Sequence, residues 1–203
     1  MKLLNLRLDT SLYTRFQLQA IKNCFNQFFS EVVFLDIVEQ RKQVEKLIAD
    51  NPNSIVVSMD KYISTGHDLD ASRVYDLESN YLYHNIKFKG NIARNQDVIL
   101  YDHDKVGGLG LKLVTALLQV SGNTVREHVL IELSKEESKV QEILDLDDFL
   151  TSGLVCEIEG QLVRINYHQT MQILEKRASI PCEQYAQFCG EIGKLIDILS
   201  PVK

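Results

Sequence analysis

Thiols are scarce in this 203-residue chain: Cys24, Cys156, Cys182 and Cys189 are all it holds, and no two of them form a CxxC pair. Cys182 and Cys189 stand seven apart, two turns along one helical face, so buried thiols are expected here rather than a metal or redox centre. No apolar run approaches the ~20 residues that span a bilayer. Met1-Lys2-Leu3-Leu4-Asn5 leads into Arg7 and Asp9 without the apolar stretch of a secretory signal. A cytoplasmic protein with no membrane partner is the expectation. Positive charge is also short: 22 Lys and Arg against 28 Asp and Glu leave a net charge of −6 and a pI near 5.4. That balance excludes a broad basic surface and argues against nucleic acid as a partner. His67, His84, His128 and His168 are too scattered for a zinc-ligand pattern. Asp145, Asp147 and Asp148 lack EF-hand spacing and its glycine, and read as a capping or exposed acidic turn. Internal repeats and low-complexity tracts are missing as well.

What remains is ordinary globular composition, 45% hydrophobic and 25% charged, on a chain long enough to bury a core without staples. Residues 2–8 alternate weakly, with Leu4, Leu6 and Leu8 on one side, and read as a strand. A helix capped by Asp9, Thr10 or Ser11 follows, with Tyr13, Phe16, Ala20, Ile21, Cys24, Phe25 and Phe28 at three-four spacing. Glu31–Ile37, the helical segment around Val44, Leu47 and Ile48, and Ser54–Met59 form a βαβ-shaped run. Residues 61–80 read as a long loop, and 81–89 alternates in part. Asp97–Tyr101 is the best strand, followed by a glycine-rich turn over 102–110, a helix with Leu111, Val114, Thr115 and Leu118, and a strand at Glu127–Leu133. This strand-helix-strand series is a right-handed parallel crossover unit. Beyond it come a short helix around Val140, Ile143 and Leu144, an antiparallel hairpin over 153–165 turning at Glu159-Gly160, and a last helix after Pro181. The fold class is α/β: a mainly parallel twisted sheet flanked by helices over 1–134, with a C-terminal α+β extension over 135–203 packed on that core.

The turn carries the chemistry. A strand releasing through Gly107, Gly108 and Gly110 into a helix points backbone N–H groups at one spot, backed by the helix dipole, and phosphate fits there. A Walker A loop fails, because Lys112 lies two residues past the last glycine with leucine after it. A Rossmann fingerprint fails too, since the series here is GGxG on a late strand, behind aspartates. Carboxylates before glycines suit a ligand that offers sugar hydroxyls to the acids and a terminal phosphate to the amides.

The segment VILYDHDKVGGLGL, residues 98–111, resembles the phosphoribosyl pyrophosphate motif of type I phosphoribosyltransferases. Asp102 matches the first acid, His103 stands where the second is usual, Asp104 replaces it, and Gly108 and Leu111 match a glycine and the leucine. The three threonine positions of the motif are Val106, Gly107 and Gly110 here. Asp70-Ala71-Ser72-Arg73, LDLDDFLTSGLV at 144–155, Arg164, Tyr167, Arg177 and KRASIP at 176–181 resemble segments of bacterial and phage-encoded phosphoribosyltransferase-like proteins.

The resemblance implies a protein that binds phosphoribosyl pyrophosphate with Mg²⁺ and transfers phosphoribosyl to a base or amine, with a homodimer as the common assembly. Asp102 and Asp104 would take the ribose diol as catalytic residues. Gly107, Gly108, Leu109 and Gly110 would give N–H groups to the 5′-phosphate, with Val106, His103 and Lys105 lining the site. Arg73, ahead of Lys61 or Arg94, would reach the pyrophosphate with its bidentate fork. No metal ligand is assigned to the protein itself, since Mg²⁺ would be carried by the pyrophosphate. The departures at the threonines leave a second expectation, a binding or regulatory protein that keeps the cradle without turnover.

Overall fold

The computed structural model describes residues 1–79, 81–152, 154–158, 160–167, 169 and 183–200. Cys182, His168, Arg177 and the 176–181 segment lie outside the described residues. The strands are β1 (Leu3–Leu8), β2 (Glu31–Asp36), β3 (Ile55–Ser58), β4 (Asp68–Asp76), β5 (Tyr81–Lys89), β6 (Asp97–Val106), β7 (Thr124–Leu133), β8 (Gln141–Asp145), β9 (Leu154–Ile158) and β10 (Gln161–Ile165). The helices are α1 (Arg15–Phe25), α2 (Ile37–Asp50), α3 (Leu109–Val120), the single turn α4 (Glu137–Val140) and α5 (Glu183–Leu199). The protein is thus α/β. Its chain forms two compact units: Met1–Asp36 with Tyr75–Tyr81 and Val140–Lys203, and Ile37–Val74 with Leu82–Lys139. The chain passes between the units four times.

In the first unit β1 lies between β2 and β8, parallel to both. The alternation of β1 sends Leu4, Leu6 and Leu8 to one face, where all three are fully buried with Ile21, Phe25, Leu146, Phe149, Ile192 and Leu195. α1 starts at Thr14 through a capping box with Gln17, which satisfies two backbone donors reciprocally. Asp9 caps the short turn Thr10–Leu12 ahead of it. Phe25 meets Phe149 edge-on at 5.7 Å, and Phe149 meets Phe188 of α5 at 5.6 Å. Each such pair adds about 0.5–1.5 kcal/mol to its area burial. Burial drives the Cys24 thiol up to about 11, and Cys156 also upward, so both are inert packing thiols. The hairpin is present as β9 antiparallel to β10, with Gly160 at φ 75° in the turn.

The second unit orders its strands β4-β3-β6-β7, with β5 paired to β4; β3, β6 and β7 run parallel, as do β3 and β4. β6 is covered on both sides, which is why it reads as a continuous apolar run. Val98 and Leu100 pack with Leu111, Val114 and Leu118 of α3, whereas Ile99 and Tyr101 pack with Val44 of α2. α3 ends in a Schellman motif: Gly122, at φ 80°, donates to the Gln119 carbonyl and Asn123 to that of Leu118. The Asn123 side chain accepts from Gln96 N and donates to the carbonyls of Ala93 and Leu118, fixing the crossover to the next strand.

Four local expectations are corrected. The run Asp68–Asp76 inside the expected loop is a strand, held by its pairing with β3 and β5, with Leu69 and Val74 buried. Gln141–Asp145 is a strand rather than helix, held by its parallel register on β1, although Val140, Ile143 and Leu144 also satisfy helical spacing. β2 and β3 lie in different sheets, so the expected βαβ unit across α2 does not form. β6 continues through Asp102–Val106, because β7 pairs with it as far as Leu133, and the true turn is confined to Gly107 and Gly108.

Candidate functional site

The C-terminal end of β6 brings three acids around one imidazole. His103 Nδ1 lies 3.4 Å from Asp102 Oδ1 and 3.7 Å from Asp60 Oδ2, and its Nε2 lies 3.2 Å from Asp104 Oδ1. Asp60 follows β3, and its side chain has no exposure at all. It arrives there through register: Ser58 pairs with Tyr101, and Met59 N donates to the Tyr101 carbonyl, which sets the next residue beside His103. Asp60 also accepts from Tyr62 N at 2.9 Å. An imidazolium in this position ion-pairs with all three carboxylates, and a single proton there holds together charges that would otherwise repel.

Beyond the carboxylates the chain turns through two glycines in the left-handed region, Gly107 at φ 77° and Gly108 at φ 65°. Gly108 is the N-cap of α3 and has no side chain to cap it, so the first N–H groups of the helix stay open. Lys105 folds back over this turn, its Cε 3.0 Å from where a Gly108 Cβ would sit. Its ammonium meets Glu132 at 3.1 Å and Glu127 at 3.3 Å, and those hydrogen bonds hold it above the ordinary lysine range. Val106 is half-exposed at the strand end, and Leu109 is exposed on the first turn of α3.

On the other side of that helix start, His84 of β5 has its Nε2 3.6 Å from where a Gly110 Cβ would sit, with Met59 next to it. Burial lowers the His84 pKa, and the positive charge of Arg73 lowers it further. Arg73 is exposed on β4. His84 thus sits beside the start of α3, with Arg73 near enough to act on its charge, while Asp102, His103 and Asp104 stand on the strand leading to that helix.

Asp60 and His84 are the members that the sequence reading omitted. Asp60 could have been found as the polar residue released by a strand next to β6, since ligands in open α/β sheets gather at those carboxyl ends. Nothing local marks His84. Asp102, His103 and Asp104 offer one ligand atom each within 4.8 Å of one another, with Nδ1 3.4 Å from Asp102 and Nε2 3.2 Å from Asp104. Mg²⁺ prefers oxygen ligands, so the triad by itself does not point to that ion.

A second polar cluster sits at the carboxyl ends of the first unit's three parallel strands. Arg7, fully buried, pairs with Asp145 at 3.1 Å. Thr10 Oγ1 donates to Asp36 at 2.6 Å, Ser11 donates to Asp9, and Tyr13 donates to Asp147 at 3.3 Å. Burial, then Asp147, pushes the Tyr13 phenol up to about 12.

No protein-family model matches the chain, and no curated protein is similar to it in sequence.

Proposed function

We propose that the second unit binds a phosphorylated ribose, with phosphoribosyl pyrophosphate as the ligand and a base or amine as the phosphoribosyl acceptor. The observation that carries the reading is the order of groups along one strand-to-helix junction: Asp102 and Asp104, two left-handed glycines, then uncapped amides with His84 beside them. The amides and the imidazole suit a phosphate, and the two carboxylates suit ribose hydroxyls and the positive charge that develops at the anomeric carbon. Mg²⁺ would be carried by the pyrophosphate itself and would neutralise the leaving group. Lys105 is engaged by Glu127 and Glu132, so Arg73 is the better cation for the pyrophosphate.

Calorimetry with phosphoribosyl pyrophosphate and Mg²⁺ tests the reading. Submillimolar binding is expected, weakened at least tenfold in Asp102→Asn, which is about 1.4 kcal/mol. No binding by the wild type sinks it. A panel of bases then separates transfer, which releases pyrophosphate, from a second reading in which the cradle binds without turnover. The second reading is favoured by His103, which occupies the place of an acid. The pH dependence is also expected to be directional. The neutral His84 gains a proton more readily once an anion sits beside it, so affinity for inorganic phosphate strengthens as pH falls through the histidine range. Titrations at stepped pH with His84→Gln as control check this, and a flat profile in the wild type contradicts it.

A further inference from the structure

The lysine at the glycine turn has two carboxylates for partners. Its stem crosses the turn: Cγ, Cδ and Cε of Lys105 lie 3.4, 3.7 and 3.0 Å from where a Gly108 Cβ would sit, so the glycine leaves them room. Gly108 is also where the open amides begin. Lys112 N is the first donor of the α3 ladder, to the Gly108 carbonyl, which leaves the N–H groups of Leu109, Gly110 and Leu111 ahead of it. The ammonium itself turns to β7, where it lies 3.1 Å from Glu132 and 3.3 Å from Glu127. We propose that this contact is a latch: Glu132 holds Lys105 off the anion site, and an arriving phosphate draws the ammonium across to itself. The inference rests on the phosphate reading of the turn and adds a control on its affinity.

The two glutamates differ in how firmly they are placed. Glu127 also accepts from Thr115 Oγ1 of α3 at 3.2 Å, and its side chain is 32% exposed. Glu132 stands in register with Lys105 on β7 and is 65% exposed, so water solvates its carboxylate once the ammonium leaves. An ion pair that open to solvent contributes little, whereas a phosphate dianion brings more charge and is met by the open amides as well. An ammonium has three N–H donors, so Lys105 can turn to an anion while Glu127 keeps hold of it. The switch is then a rotation of one side chain. It also selects among anions. A ligand has to displace Glu132 before it gains the lysine, and a monoanion such as acetate offers less in exchange than a phosphate does.

Inorganic phosphate, titrated into the full chain at fixed ionic strength and followed through the amide resonances of residues 107–111, tests this. Glu132→Gln should tighten phosphate binding roughly threefold, the scale of one exposed ion pair. Lys105→Met should weaken it, and in that background Glu132→Gln should bring no such gain. The double variant separates a latch from simple repulsion, because a carboxylate that merely repels the anion does so with or without the lysine. An equal gain in both backgrounds therefore overturns the proposal, as does a Glu132→Gln that binds phosphate like the wild type. A wild type that binds no phosphate sinks the ligand reading itself, and the latch with it. Thermal melts of Glu132→Gln should match the wild type, since that side chain stands largely in water.

Discussion

Arg7→Met is expected to cost the protein about 3–5 kcal/mol, the usual penalty for removing one partner of a buried ion pair. Arg7 sits in the middle strand of the first unit's sheet with its side chain entirely buried. The parallel register puts it directly beside Asp145, whose side chain is only 13% exposed. Asp9 follows the same strand, Asp36 ends β2 and Asp147 follows β8, so the guanidinium stands at an edge rich in carboxylates. Removing it leaves Asp145 both desolvated and next to like charges. The methionine fills much the same volume, so the loss is electrostatic rather than a cavity effect. Urea unfolding measures it. The double variant Arg7→Met with Asp145→Leu is expected to recover a good part of the loss, because an apolar pair carries no stranded charge. A single-variant loss under 1 kcal/mol would show that water reaches this edge.

The elements that were legible in the sequence are those whose partners ask for a simple pattern. β6 and β3 are covered on both faces and read as apolar runs; β1 has one core face and alternates; α1 and α3 repeat at three and four. The elements that were not legible have their identity decided elsewhere in the chain. Gln141–Asp145 fits either period, and only its register on β1 makes it a strand. β4 holds enough aspartate and serine to pass for loop, and its neighbours in the sheet supply what its composition does not. The same holds for the candidate site. The glycines and the acids before them were visible because they are consecutive, whereas Asp60 and His84 reach the site through long-range contacts that no local spacing encodes. The extension of β6 through Asp102–Val106 shows the opposite error: turn chemistry was credited to residues that β7 holds extended. That matters for mechanism, since a strand fixes carboxylate directions more firmly than a loop does.

His103→Leu is expected to destabilise the second unit by about 1–3 kcal/mol, because it removes the polar ring that stands among the carboxylates of Asp60, Asp102 and Asp104. Asp60 is the group that decides the size. Its side chain is fully buried, and His103 Nδ1 is 3.7 Å from it, while Asp102 and Asp104 crowd the same imidazole from the strand. Without the ring, three carboxylates face one another with one of them out of water. Urea midpoints of wild type and variant read the loss directly. His103→Asn, which keeps a hydrogen-bond donor but no charge, should fall between the two. If His103→Leu unfolds like the wild type at neutral pH, the carboxylates do not depend on the imidazole, and a divalent cation replacing it becomes testable by adding Mn²⁺ to the variant. If the loss is as large as expected, His103 is what lets Asp102 and Asp104 stand together at the carboxyl end of β6. Its place in the series of acids is then explained by charge balance within the fold.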